Sequence, residues 1–254
     1  MSKARRRALI TGAAQGIGQG IATRLAADGH HVIIADLNAD AAEKTAAGLR
    51  AAGHSAESAV IDVANRASVE ACRAAIGAVD ILVNNAGIYR DTPLLESPVR
   101  EWMKVFDINL YGSIHCTQVF AADMAQNGWG RIVNLGSLAS VTAYGRDLAY
   151  VTSKTAVAGL TRVIAVELGP KGVTANAICP GNIMTDMMRN LAPEIEARDG
   201  LQPGSFLDAR AREIPARRLG EPSDIAAVAS FLCSDDAVYV NGQLLHVNGG
   251  LLFG

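Results

Sequence analysis

Seven short runs of almost unbroken apolar residues punctuate the chain: ALIT (8–11), HVIIA (31–35), ESAVI (57–61), DILVN (80–84), RIVNL (131–135), GVTANAI (172–178) and QLLHV (243–247). Apolar side chains at successive positions leave no solvent face, which is the mark of strands covered on both sides. Between the runs, apolar positions recur at helical spacing, as in Ile17, Ile21 and Leu25, or Val157, Leu160, Ile164 and Leu168. Strands alternating with helices of this length call for right-handed crossovers and a parallel sheet. The pattern predicts an α/β fold, a doubly wound seven-stranded parallel sheet with helices on both faces. No repeat, low-complexity tract or linker interrupts it, so residues 1–254 read as a single domain. One stretch breaks the rhythm. Residues 182–218 are rich in Met, Arg, Pro and Gly and carry no strand signal. Lying after a strand end, they are expected to form a substrate lid at the carboxyl edge of the sheet, against the rival reading of a surface excursion with short helices.

Composition narrows the function classes. Half the residues are hydrophobic, 19% are charged and the net charge is −2, so nothing favours nucleic acid as a partner. Arg5, Arg6 and Arg7 directly precede the first apolar run and read as a solvated N-terminus. Cys72, Cys116, Cys179 and Cys233 are scattered without a CxxC pair, as in free thiols of a reducing compartment. The five histidines show no HxxxH spacing, so no metal site is expected. No apolar stretch reaches membrane-spanning length and the N-terminus lacks a signal-peptide core. A soluble, cytoplasmic protein with a small-molecule substrate and no membrane partner is the expectation.

Two local patterns carry chemistry. The first strand runs into TGAAQGIGQG, with Gly12, Gly16, Gly18 and Gly20, and a helical segment follows. Glycine permits the tight turn and lets main chain approach a pyrophosphate, while the helix N-terminus offers N–H groups and its positive dipole end. Gln15 and Ile17 lie within this turn. The second strand ends at Asp36, where a carboxylate can accept from both hydroxyls of an adenosine ribose and would repel a 2′-phosphate. Gln15 and Leu37 offer no compensating cation, so NAD is predicted over NADP. The second pattern is AYVTSKTAV (149–157), which sets Tyr150 and Lys154 one helical turn apart on the same face. By itself that spacing is unremarkable; it gains meaning from the rest.

Taken together, these residues resemble the short-chain dehydrogenase/reductase family in its compact single-domain branch, built on a Rossmann fold. The turn TGAAQGIG is similar to that branch's TGxxxGIG. Asp62-Val63 resembles the family's pair beside the adenine ring, and NNAG (Asn84, Asn85, Ala86, Gly87) the motif that supports the sheet and passes along the cofactor. Asn109 in INLYG is similar to the family's helix asparagine, and Ser137 stands thirteen residues before Tyr150, as the family's serine does. PGNIMT, with Pro180, Gly181, Ile183 and Thr185, resembles the PGxxxT stretch over the nicotinamide. The resemblance covers Thr11 to Gly250. Gly136 stands where a second serine is common, and Asn248 where the family often has aspartate, a change expected to affect packing.

A phenol with a pKa near 10 is a poor base at neutral pH. Lys154, together with a positive nicotinamide ring, would favour the phenolate and let Tyr150 take the proton of an alcohol as hydride leaves carbon. Ser137 would hold the substrate oxygen, with Ser140 as a second candidate and strand-end capping as the bland reading. The resemblance implies that Lys154 also holds the nicotinamide ribose and that Asn109 supports a water relay; Asn109 could equally satisfy buried main chain. Tyr144 is another phenol nearby, but no lysine follows it at four residues.

The substrate pocket is expected to be walled by 137–144, the stretch after Gly87 and the 182–218 segment. Met184, Met187, Met188 and Leu191 would form an apolar cover, and Arg146, Asp147 and Asn182 polar contacts. That mixture suits a secondary alcohol such as a polyol, sugar alcohol or small hydroxy compound, with a 3-oxoacyl carrier-protein or CoA reductase as the alternative. A nucleotide-sugar epimerase would need a TGxxGxxG turn and a larger substrate domain, and a non-catalytic NAD sensor would be expected to lose a catalytic residue. The resemblance implies a homotetramer on the helices around Asn109 and Tyr150, and the apolar tail GLLFG fits burial at a subunit contact.

Overall fold

The computed structural model describes residues 5–143 and 145–253. All seven predicted runs are strands: β1 (Arg7–Thr11), β2 (His31–Asp36), β3 (Ala56–Val60), β4 (Ile81–Asn84), β5 (Gly130–Leu135), β6 (Val173–Pro180) and β7 (Leu244–Val247). They make one sheet in the order β3-β2-β1-β4-β5-β6-β7, with every pairing parallel. The chain winds outward from β1 to β3, then crosses back to β4. Between β1 and β4 the connections leave the sheet in opposite directions, which opens a crevice at the carboxyl ends.

Nine α-helices are present among the described residues: α1 (Gly16–Ala27), α2 (Ala39–Ala51), α3 (Arg66–Ile76), α4 (Val99–Phe106), α5 (Gly112–Asn127), α6 (Leu148–Leu168), α7 (Asp186–Asp199), α8 (Ser205–Glu213) and α9 (Pro222–Leu232). The two-residue period of the strands explains how one apolar run serves two cores. Ile10, Ile34, Val83 and Val133 pack with Ile21, Leu25, Leu49 and Ile225 of α1, α2 and α9 on one face. Their neighbours Leu9, Ile33, Leu82 and Ile132 pack with Val69, Phe120, Met124 and Ile164 of α3, α5 and α6 on the other. The central strands are buried along their length, while β7 at the sheet edge is only partly so.

Local chemistry sets the helix starts. Asn38 and Asn65 cap α2 and α3 by accepting from Ala41 N and Ala67 N, and Thr185 caps α7 through Met188 N. Residues 182–218 contain α7 and α8, with no strand among them, as the sequence suggests. No helix among the described residues is long and apolar enough to cross a membrane. All four cysteines are buried free thiols.

Candidate active site

A cavity of about 710 Å³ opens along the carboxyl edge of the sheet. Its floor is where the ends of β1 and β4 are tied together. Thr11 Oγ1 accepts from the N–H groups of Asn85 and Ala86 at 3.1 Å each, and Asn85 Nδ2 donates to the carbonyls of Thr11 and Gly12 at 2.9 Å each. Gly12 turns through φ +62°, and a Cβ there would lie 2.9 Å from Ala86 Cα. Gln15 N-caps α1 without any side-chain hydrogen bond, unlike the starts of α2 and α3. The first N–H groups of α1 are thus left for an anionic partner, and the turn leaves room for it. At one end, Asp36 Oδ2 accepts from Ala14 N and Oδ1 from Asn38 N, both at 3.1 Å, which holds its carboxylate at the cavity wall. An extended dinucleotide fits this set of donors, this glycine cradle and this volume.

Gly12, Gln15, Gly16, Ile17, Asp36, Asp62, Val63, Asn85, Ala86, Gly87, Tyr150, Lys154, Pro180, Gly181, Ile183 and Thr185 all line the cavity, as does Ser137. Two expected site residues do not. Gly18 is buried behind the turn, where a Cβ would come within 2.5 Å of both Asn85 Nδ2 and Gly12 O, so packing by itself requires glycine there. Asn109 is buried in a single π turn (Asp107–Tyr111) between α4 and α5. Its side chain accepts from Ile88 N at 2.8 Å and donates to Ile88 O and Ser153 Oγ. Ser153 in turn donates to Tyr150 O. Asn109 therefore braces the strand-β4 loop against the turn of α6 that carries Tyr150.

The loop after β5 places the two serines differently. Ser137 faces the cavity while its Oγ also accepts from Ala139 N at 3.1 Å, so capping and cavity exposure coexist. Ser140 is buried, accepting from Ser137 N and donating to Lys154 O, which ties this loop to α6. Gly136 has its own reason: a Cβ there would sit 2.9 Å from Cys179 Sγ and 3.1 Å from Ser140 Oγ.

Burial governs the electrostatics of the Tyr150–Lys154 pair in the protein alone. Lys154 Nζ donates to Leu135 O at 2.7 Å and stands 5.8 Å from the centre of the Tyr150 ring. Burial pulls its ammonium down to about 8 and pushes the Tyr150 phenol up; the hydrogen bond from Ser137 acts against that rise. Low-dielectric surroundings disfavour both charged forms, so in the protein alone desolvation outweighs the hydrogen bond from Ser137 at the phenol.

Beyond Tyr150 the wall changes character. Tyr89 packs edge-on against the Tyr150 ring, centroids 5.3 Å apart, and its hydroxyl donates to Asp147 Oδ1 at 2.5 Å. Asp91 receives Arg146 at 2.5 Å and also Arg198 from α7, which in turn pairs with Asp199. Met187, Met188, Leu191, Ile195 and Phe206 supply the apolar side. Met184 and Arg146 are absent from the lining; Arg146 is exposed and pairs with Asp91. Tyr144 falls outside the described residues. Tyr89, Asp91, Arg198, Phe206 and Arg210 are wall residues that no single sequence motif marks. Their only signal was membership of the two segments expected to flank the pocket. The C-terminal Asn248 is occupied in packing, accepting from Gly250 N and donating to Leu252 O.

A parallel doubly wound sheet with a glycine turn at its switch point and a serine, tyrosine and lysine on one cavity defines a dinucleotide-dependent oxidoreductase. A family model described as Enoyl-(Acyl carrier protein) reductase matches residues 12–252. The short-chain reductase protein NovJ of Streptomyces niveus is 40% identical over 247 residues, 96% of this chain and 92% of that one. The 3-oxoacyl-[acyl-carrier-protein] reductase FabG of Staphylococcus epidermidis is 36% identical, covering 96% of this chain and 98% of its own. Among solved structures, a gluconate 5-dehydrogenase from Burkholderia cenocepacia in complex with NADP and tartrate superposes with a TM-score of 0.89 at 36% identity, covering 98% of this chain and 96% of that one. The chain belongs to the short-chain dehydrogenase/reductase family, whose members act on CH–OH or carbonyl groups.

Proposed function

We propose that this protein interconverts a secondary alcohol and its ketone, with NAD as the preferred cofactor and a polyol, sugar alcohol or small hydroxy compound as substrate. The observation that carries the reading is the joint placement of Ser137, Tyr150 and Lys154 on the cavity that Asp36 closes at its far end. A nicotinamide bound there supplies the hydride acceptor or donor. Tyr150 exchanges the substrate's hydroxyl proton, taking it as the hydride leaves carbon and returning it in the reverse direction. Ser137 holds the reacting oxygen, and Lys154, fixed by Leu135 O, keeps a cation one turn from the phenol. Asn109 and Ser140 act as positioning residues through Ser153 and the main chain of Lys154.

The preference for NAD rests on Asp36, whose carboxylate is pinned at the wall beside the exposed Leu37. Arg100 and Lys104 line a neighbouring hollow with Leu37, but Asp62 and Asp107 share it and match their charge. The NADP carried by the gluconate dehydrogenase is the counterweight, and the similarity to FabG favours a 3-oxoacyl reductase as the second reading. For assembly, a homotetramer is supported by apolar side chains that stand exposed on α6 (Val163, Val166) and at Phe253.

The test is reduced-cofactor absorbance with purified protein, NAD or NADP, and a panel of sugar alcohols, diols and 3-hydroxyacyl thioesters. Turnover of a polyol with NAD at least about tenfold more efficient than with NADP is expected, from loss of the ribose hydrogen bonds and repulsion at Asp36. Activity confined to thioesters with NADP would overturn both the cofactor and the substrate reading.

A further inference from the structure

Asp147 sits at the N-cap of α6, a position where aspartate ordinarily turns its carboxylate onto the first free N–H groups of the helix. Here it makes no such bond. Its carboxylate forms part of the cavity wall instead, where Oδ1 accepts the Tyr89 hydroxyl. Tyr89 meanwhile stands edge-on to Tyr150. Asp147 directly precedes α6, which carries Tyr150 in its first turn, and the Tyr89 side chain touches both. Oδ2 receives no hydrogen bond from any described residue. The two guanidinium groups within electrostatic reach are committed elsewhere, Arg198 to Asp91 and Asp199, Arg210 to Glu213. Burial and the Asp91 carboxylate both make ionisation of Asp147 harder. The carboxylate thus forgoes its cap, is held through Oδ1 by Tyr89, and leaves Oδ2 reachable from the cavity next to the Tyr89–Tyr150 pair, where a donor on a bound substrate can replace water.

We propose that Asp147, held by Tyr89, selects the substrate by accepting a hydrogen bond from a hydroxyl on the carbon next to the reacting one, so that the site takes vicinal diols, polyols and their α-hydroxy ketones. This rests on the alcohol–ketone reading above and narrows it. A polyol presents an O–H donor at that neighbouring carbon. A 3-hydroxyacyl thioester presents a methylene and then a carbonyl, whose oxygen can only accept and would meet Oδ2 lone pair to lone pair. One side chain thereby favours the first substrate class and rejects the second.

The test is kcat/KM with NAD for a matched pair, butane-2,3-diol and butan-2-ol, in the wild type and in Asp147→Asn, Asp147→Leu and Tyr89→Phe. The wild type is expected to favour the diol by about tenfold or more, the worth of a hydrogen bond to a charged group. Asp147→Leu should bring the diol-to-alcohol ratio near one. Asp147→Asn, isosteric and still holding an acceptor oxygen, should retain part of the preference, and Tyr89→Phe should lower it by loosening the carboxylate. Thermal unfolding and NAD titration of each variant separate a folding defect from a change in selection. Equal efficiency on both alcohols in the wild type, or an unchanged ratio in Asp147→Leu, overturns the inference alone. Turnover of a 3-hydroxyacyl thioester with neither alcohol oxidised overturns the inference and the polyol reading together.

Discussion

At the end of the cavity near Asp36 the wall is made largely of main chain: the Gly12 turn, the uncapped start of α1, and the crossed bonds of Thr11 and Asn85 that join β1 to β4. Beyond Tyr150 it is made of side chains drawn from three separate stretches, Tyr89 and Asp91 after β4, Asp147 before α6, and Arg198 and Phe206 from α7 and α8. The first kind of wall tolerates almost no variation, because main chain cannot move without breaking the sheet. The second can change one side chain at a time. A single scaffold can therefore hold one cofactor and serve many substrates, which accords with relatives named for unlike reactions.

The junction between the two ends is the place to break the comparison hardest. Tyr150→Phe removes the proton-exchanging group while leaving the glycine turn intact. It should cut kcat by at least about a hundredfold with the NAD dissociation constant unchanged, read by steady-state kinetics and fluorescence titration. Retained turnover would remove Tyr150 from the chemistry.

Lys154, at the same junction, predicts a pH effect on stability. Its buried amine titrates at about 8 in the folded protein, below the ordinary lysine value near 10.5, so between those limits the unfolded chain binds more protons. Stability contributed at this position therefore rises with pH across that window. Urea unfolding of wild type against Lys154→Met should show the difference moving in favour of the wild type by on the order of 3 kcal/mol between pH 7.5 and 10.5. A difference flat with pH would mean that the amine is not held in low-dielectric surroundings.

Main-chain construction predicts sensitivity at a residue behind the cavity lining. Gly18→Val should destabilise by about 1–3 kcal/mol, because its Cβ meets Asn85 and Gly12 O at 2.5 Å, both fixed by the β1–β4 junction. NAD affinity should fall with it, while the preference among bound alcohols stays as in the wild type. A cofactor affinity that survives the substitution would show that the turn is softer than its hydrogen bonds suggest.

The smallest effect belongs to the side-chain wall. Asp91→Asn releases Arg198 and Arg146, loosening α7 from the loop after β4. KM for the alcohol should rise about three- to tenfold, with little change in NAD binding or in melting temperature, since such partly exposed ion pairs contribute little to stability. An unchanged KM would mean that the Arg198–Asp91 contact does not shape the pocket.

Much of this was legible along the chain because the features concerned are local. Apolar runs such as HVIIA and RIVNL had to become covered strands, and glycine in TGAAQGIG had to mark a turn beside a strand end, since both follow from neighbours in sequence. The four-residue step from Tyr150 to Lys154 needed only a helix to become a shared face. What the chain order could not reveal were the long-range pairings. Gly18 packs against Asn85 and Gly12 O at the β1–β4 junction, and burial acts on the Tyr150 phenol and the Lys154 amine alike. Tyr89 meets Asp147 across fifty-eight positions, and Arg198 reaches Asp91 across one hundred and seven. Periodicity and turn chemistry act between near neighbours, so sequence by itself determined the sheet, the glycine turn and the shared helical face of Tyr150 and Lys154. Desolvation and contacts between distant segments exist only once the chain is packed, so the tertiary structure alone decided which charges are paired, which are disfavoured by burial, and that Asp147 lines the cavity rather than capping α6.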